Sequence, residues 1–220
     1  MPKLKSKRSR AKPGLARKLI LQTALDLLDR EGLEALSMRR LGAALHVEAM
    51  SLYNHVANKE AVLDGIVEIM LDEIVLPPPT GNWETDLRAL AHAYRAVLRG
   101  HPAALPIVST RPVATVWALS KLEYALALFH HSGIEGLEAL YALNVGAAFV
   151  IGHVLLEVGV TPGTEQTPLE PAGTPLRGLS VPSAYPHILA VLPEMKRRDP
   201  DQEFAYGLDA LMAGIRTKLS

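Results

Sequence analysis

Residues 37–56 read SMRRLGAALHVEAMSLYNHV, and this stretch decides the fold that we predict for the N-terminal part of the chain. Ser37 can cap a short helix over 38–45, because its hydroxyl can accept a hydrogen bond from a free backbone donor of the first turn. A break follows at 46–48. A second helix is then predicted over 49–56. Two short helices joined by a tight turn predict a helix-turn-helix.

Each of these helices has an apolar inner side. Leu41 and Leu45 lie four residues apart on the first, and Leu52 and Val56 do so on the second. The other faces of the second helix carry polar and aromatic side chains, and Arg39 points outward from the first. In a DNA-binding helix-turn-helix the second helix enters the major groove while the first crosses the backbone. Spacing alone leaves a purely structural helix pair as an alternative.

Helical periodicity continues on both sides of this stretch. It predicts a first helix over 16–30 and a fourth over 59–75 capped by Asn58, with the prolines at 77–79 as a linker. Further helices are predicted over 83–98, 113–130, 135–158, 183–197 and 201–219, with a mobile, proline-rich loop at 161–183. No strand is expected, so we predict an all-α fold.

The charges are unevenly distributed, although the formal net charge is zero. Residues 1–59 hold 12 Lys and Arg against five Asp and Glu, and the remainder carries the compensating acidic excess. A flexible basic arm at 1–15 beside a helix-turn-helix favours contact with a polyanion. The chain has no cysteine, which excludes disulfides and thiolate metal sites. No secretory leader or membrane-spanning run is expected, so the predicted location is cytoplasmic, with no membrane partner.

The run 37–42, followed by 47–56 and by Asn58-Lys59, closely resembles the helix-turn-helix of the TetR family of repressors. The resemblance implies double-stranded operator DNA as the partner. It implies that the following residues approach bases or phosphates: Arg39, Ala49, Met50, Ser51, Tyr53, Asn54, His55 and Lys59. For Tyr53 and His55 an alternative stays open, namely that they seal the core of the small domain.

The resemblance extends to the rest of the chain. Ser109-Thr110-Arg111-Pro112, the stretch 136–143 and the segment 204–219 resemble the C-terminal domain of tetracycline-type repressors. This implies a homodimer built from the helices at 135–158 and 201–219, whose small residues could equally pack within one subunit. We therefore expect an N-terminal three-helix helix-turn-helix domain with its connecting helix at 16–76. A larger helical ligand-binding and dimerisation domain is expected at 82–220.

The predicted effector pocket departs from the tetracycline-binding members of the family. Ile107 stands where the resemblance implies a magnesium-ligating histidine, and Leu90, Val75 and Leu156 stand at polar pocket positions. We therefore expect a small hydrophobic or amphipathic effector, without a metal or other cofactor. The residues expected to contact it are Leu90, Tyr94, Ile107, Arg111, Trp117 and Asn144.

Together these features predict a ligand-responsive transcriptional repressor rather than an enzyme. A helical enzyme and an interaction module that does not bind DNA are the alternatives. The sequence has no His-Glu-x-x-His pair, no phosphate-binding glycine loop and no Gly-x-Ser-x-Gly elbow, which disfavours the enzyme. An interaction module would not explain a basic arm next to a helix-turn-helix.

Overall fold

The structure is a computed structural model that describes residues 16–75, 78–111, 116–159, 181–195 and 197–218. All regular secondary structure in these ranges is helical, as predicted. The predicted basic arm at 1–15 and most of the predicted loop at 161–183 lie outside the described residues. Internal contacts divide the chain into residues 1–66 and 67–220. That division falls within the fourth helix, and the linker-based boundary at 77–81 stays a prediction.

The N-terminal unit begins with α1 (Arg17–Glu31), α2 (Met38–Ala44), α3 (Ala49–Leu52) and the first half of α4 (Lys59–Asp72). Its core is aliphatic, since the buried side chains are those of Ile20, Leu21, Ala24, Leu25, Leu27, Leu28, Leu36, Leu41, Leu52, Val56, Val62, Leu63 and Ile66. Leu19 of α1 is half exposed, whereas Leu21 and Leu25 are fully buried.

The predicted second helix of the motif is shorter than expected. It ends at Leu52, and residues 53–55 form a turn closed by bonds from the His55 and Val56 amides to the Leu52 carbonyl, of 2.9 and 3.0 Å. The prediction of a helix to Val56 was therefore wrong by four residues. Tyr, Asn, His and Val are weak helix formers, and the chain must already turn toward the next helix, where Asn58 accepts a hydrogen bond from the Ala61 amide at 2.8 Å.

The close approach of α2 and α3 depends on Gly42. A Cβ atom added there would lie 3.0 Å from the Val47 carbonyl oxygen and 3.2 Å from the backbone of Ala49. His46, between the two helices, has a φ of 56°, which is a left-handed conformation rare for residues other than glycine. The crossing of the two helices is thus held by backbone packing and by a constrained turn.

The C-terminal unit contains α5 (Trp83–Gly100), a 3₁₀ turn (Pro102–Ala104), α6 (Leu105–Thr110), α7 (Val116–His130), α8 (Gly136–Val158), α9 (Pro186–Met195) and α10 (Pro200–Lys218). The helix α6 is additional to the helices predicted from the sequence. The helix α8 packs against α5, α6, α7 and α10 and so forms the centre of this unit. Here Gly207 of α10 lets Phe149 of α8 approach, since a Cβ atom on Gly207 would lie 2.5 Å from the Phe149 ring.

A buried ion cluster joins three of these helices. Arg95 of α5 donates from Nε and Nη2 to the two carboxylate oxygens of Glu157 on α8, both at 3.0 Å, and from Nη1 to Asp201 on α10 at 2.7 Å. Its guanidinium carbon also lies 4.6 Å from the centre of the Phe204 ring. The side chains of Arg95 and Glu157 are only 5% and 9% exposed. Residue spacing gives no sign of this cluster, because its members lie up to 106 positions apart in the chain.

Candidate functional site

The two arginines at the start of α2 differ in their surroundings. Arg40 is held by Glu31 at the end of α1, with a bond from its Nε of 2.9 Å, and this hydrogen bond lowers the pKa of the Glu31 carboxyl. Arg39 is exposed and has no side-chain partner within the described part of the chain. Ser37 caps the helix as predicted, since its Oγ accepts a bond from the Arg40 amide at 3.2 Å. Arg39 is therefore the arginine left available to a ligand.

The outer surface of α3 and the turn after it carries the other residues predicted to meet DNA. Met50 is 75% exposed and Tyr53 44% exposed, while Asn54 and His55 are also exposed. Ala49 and Ser51 are half-buried. The predicted inward positions, Leu52 and Val56, are buried. Since these two aliphatic residues close the core, Tyr53 and His55 do not seal it.

Lys59 completes this surface as the first residue of α4. Its side chain is half-buried and forms no ion pair with any described residue. Because the first backbone N–H groups of a helix lack internal partners, a helix start with a lysine presents donors and positive charge together. This is an arrangement suited to a phosphate group.

The predicted effector residues are distributed over four helices. Leu90 and Tyr94 are half-buried one turn apart on α5, and burial raises the pKa of Tyr94. Ile107 on α6 is buried, and Arg111, the residue that follows the end of α6, is half-buried. Asn144 on α8 is exposed, and the side chain of Trp117 on α7 lies outside the described part. Whether these six positions line one pocket stays a prediction.

Two residues that were expected to line the pocket with apolar surface are exposed, Val75 at 84% and Leu156 at 53%. Within the described ranges no group of three or more His, Asp and Glu side chains could hold a metal ion. Burial, followed by the positive charge of Arg95, lowers the pKa of both His92 and His153. These histidines are engaged with the ring of Phe204, whose centroid lies 5.1 Å from each of theirs.

One side of α8 is apolar and uncovered. Side chains at helical spacing along it are exposed, namely those of Leu137, Tyr141, Val145 and Leu156. A Cβ atom added at Gly146, Gly152 or Gly214 would meet nothing within 4 Å, unlike one at Gly207. By length and composition α8 could cross a membrane, with a mean hydropathy of 1.9, contrary to the expectation that no segment approaches this. Only 28% of that window is buried.

A cavity of about 290 Å³ that was not predicted from the sequence lies elsewhere in the C-terminal unit. It is bounded by the segment before α5, by the first turns of α5 and by the C-terminal half of α7. Its lining includes Pro79, Asp86, Tyr124, Ala127, Leu128 and His131. None of the predicted effector side chains that the structure describes lines this cavity. The only signal in the sequence is Asp86, an acidic residue on the inner face of α5.

Comparison with known proteins matches both units. The family described as "Bacterial regulatory proteins, tetR family" matches residues 20–66, and the family "Tetracyclin repressor-like, C-terminal domain" matches residues 77–219. The second match alone spans more than half of the chain.

Individual relatives agree with these family matches. An HTH-type transcriptional regulator of Saccharopolyspora erythraea is 39% identical over 152 residues, which cover 69% of this chain and 64% of that protein. The tetracycline repressor protein class D of Escherichia coli is 30% identical over 210 residues, 94% of this chain and 91% of that one. The crystal structure of ActR from Streptomyces coelicolor in complex with actinorhodin is 29% identical, with a TM-score of 0.79 and coverage of 93% and 98%.

Proposed function

Because this chain belongs to the TetR family and is a ligand-responsive transcriptional repressor, we propose how it binds DNA and what releases it. A homodimer binds a palindromic operator with two copies of the surface formed by α2, α3, the turn after α3 and the start of α4. A small hydrophobic or amphipathic effector then shifts the dimer toward a state whose two α3 helices no longer match successive major grooves. TetR-family regulators are not enzymes, so the enzyme alternative is set aside.

The observation that carries this proposal is the uncovered surface of the helix-turn-helix. Arg39 and Lys59 have no protein partner among the described residues, and Met50 and Tyr53 project from a core that Leu52 already closes. Long side chains that project from a positively charged pair of helices can contact the phosphates and base edges of DNA. In the assigned roles, Arg39 and Lys59 hold phosphates and Asn54, Met50 and their neighbours face bases. Cytoplasmic location follows from this function.

The DNA-contact assignment predicts two distinct effects. Lys59→Ala should weaken binding to all duplexes about equally and reduce the slope of log affinity against log salt by about one. Tyr53→Ala should weaken operator binding by about ten-fold through loss of a backbone contact. The measurement is fluorescence anisotropy with the duplex upstream of the protein's own gene, titrated at several salt concentrations.

Arg30→Ala serves as the control, because Arg30 lies at the end of α1 and bonds to the Asp26 carbonyl at 3.1 Å. It should leave both affinity and salt slope near their wild-type values. Unchanged DNA binding in both Tyr53→Ala and Lys59→Ala would show that the contact residues are wrongly assigned. A chain that binds no duplex at any salt concentration would contradict the proposed function itself.

The proposed dimer is supported by the uncovered apolar side of α8 and by the open glycines near it. Val145→Asp would place a charge in the centre of this side, so we expect the dimer to weaken by about ten-fold or more in sedimentation velocity. Leu119→Asp on α7 is a matched control, because Leu119 and Val145 are each 51% exposed. If both variants sediment as the wild-type protein does, the dimer does not use this side of α8.

The effector proposal is supported by aliphatic residues at pocket positions where the resemblance implies polar residues in the tetracycline-binding members of the family. Leu90 and Ile107 offer no metal ligand, so calorimetry with tetracycline should show no heat that depends on added magnesium. Magnesium-dependent binding would overturn this part of the proposal. It would leave the assignment of the DNA surface intact.

A further inference from the structure

The cavity between the segment before α5 and the C-terminal half of α7 holds a buried carboxylate. Asp86 is 7% exposed. Its Oδ1 accepts bonds from the Thr80 amide and hydroxyl, at 2.9 and 2.8 Å, and its Oδ2 only shares the same amide, at 3.1 Å. No arginine, lysine or histidine among the described residues forms an ion pair with it. The carboxylate therefore keeps both unused acceptor capacity on Oδ2 and an uncompensated negative charge.

The donors from Thr80 explain how the charge is tolerated but do not neutralise it. A carboxylate with few donors in a partly dehydrated site attracts a cation strongly, because the local dielectric constant is lower than that of water. Its influence reaches Tyr124 across the cavity, since burial first and the charge of Asp86 second raise the pKa of that phenol. The cavity is thus electrostatically negative on the side of α5.

The remaining walls are suited to an apolar body. Pro79, Ala127 and Leu128 supply aliphatic surface beside the ring of Tyr124. The ring of His131, which donates from Nδ1 to the Ala127 carbonyl at 2.6 Å, also lines the cavity. The volume of about 290 Å³ is near the lower end of the range for small-molecule sites.

We infer that this cavity is a second ligand site, separate from the effector positions, that binds a small organic cation with an apolar ring system. The ammonium group pairs with Oδ2 of Asp86, and the ring packs between Tyr124, Ala127 and Leu128. Both contacts are needed, since the charge pair must offset the desolvation of the ammonium group, while the ring contributes the burial of apolar surface.

The test compares tryptamine, a cation at neutral pH, with tryptophol, which carries a hydroxyl in place of the ammonium group. Calorimetry with the full chain should show tryptamine binding about ten-fold or more tightly than tryptophol. Asp86→Asn keeps the acceptor for Thr80 but removes the charge, so this preference should disappear. Glu123→Gln removes an exposed charge one position from Tyr124, so the preference should persist.

A second variant covers the case in which Asp86→Asn fails to fold. Ala127→Phe fills the cavity and leaves the bonds between Asp86 and Thr80 in place, so it should weaken the binding of both compounds. Equal affinity for the two compounds in the wild-type protein would overturn the inference. So would a preference for tryptamine that survives Asp86→Asn, or tryptamine binding that Ala127→Phe leaves unchanged.

Discussion

Arg95→Ala is expected to lower the free energy of unfolding by about 3–5 kcal/mol, which is the usual cost of removing one partner of a buried ion pair. The loss is large because Glu157, whose side chain is 9% exposed, would keep its charge without its two bonds from Arg95. Phe204 would also lose the guanidinium that packs over its ring. Thermal or urea unfolding monitored by circular dichroism measures the change.

Arg99→Ala is the matched control for this prediction. Arg99 also contacts Glu157, at 3.2 Å, but its own side chain is half exposed, so its removal should cost less than about 1 kcal/mol. A double variant, Arg95→Met with Glu157→Leu, should recover much of the lost stability because no charge is left buried without a partner. Equal effects of Arg95→Ala and Arg99→Ala would show that burial of the cluster does not determine its energetic contribution.

The cluster also predicts a direction for the effect of acid. The hydrogen bond from Arg95 lowers the pKa of the Asp201 carboxyl in the folded state. Asp201 therefore stabilises the folded state at pH values above the ordinary pKa of an aspartate. That contribution is lost as the pH falls through the lowered value. Burial is the main cause that lowers the pKa of His153 in the folded state. As the pH falls, this histidine is therefore protonated in the unfolded chain before it is protonated in the folded one, and the free energy of unfolding decreases below about pH 6.5.

Gly42→Leu is the change with the largest expected effect on DNA binding. Leucine is a good helix former, so helix propensity cannot account for a loss. Its Cβ atom would lie 3.0 Å from the Val47 carbonyl oxygen, and backbone atoms cannot move aside as a flexible side chain can. The two helices must separate or rotate. Overpacking of this kind costs about 1–3 kcal/mol. Because DNA binding requires the original crossing, that cost corresponds to a loss of operator affinity of about 5- to 150-fold.

Arg30→Leu provides the control for Gly42→Leu, since Arg30 is exposed at the end of α1 and lies outside the proposed DNA-binding surface. It should leave operator affinity nearly unchanged. Circular dichroism should show that both variants keep their overall helix content. If Gly42→Leu binds operator as tightly as Arg30→Leu does, the crossing of α2 and α3 does not limit DNA binding.

Within the N-terminal unit, local sequence was sufficient to predict much of the structure. The caps by Ser37 and Asn58 and the buried positions Leu41, Leu52 and Val56 follow from hydrogen bonding and from helical spacing. The end of α3 was misplaced because weak helix formers do not specify where a short helix stops. Neighbouring packing decides that point.

In the C-terminal unit the same reasoning placed most helices but not their side-chain partners. Helical spacing identified α5, α8 and α10, yet it could not show that Arg95, Glu157 and Asp201 meet, or that Val75 and Leu156 stay exposed. The small residues illustrate the same limit. Gly207 packs against Phe149 within the subunit, while Gly146 and Gly152 face open space. A list of small residues does not separate these two roles.

The sequence alone determined that the chain is all-helical, that a capped helix-turn-helix with a basic flank lies at its start, and that it resembles TetR-family repressors. Those properties arise from interactions between residues a few positions apart, and the spacing of apolar residues and their helix propensity predict such interactions directly. Only the tertiary structure decided which arginine of α2 pairs with Glu31, where Gly42 brings two backbones together, and that Asp86 lines a cavity without an ion-pair partner in the described part of the chain. These depend on contacts between distant segments, whose geometry is set by how whole helices pack.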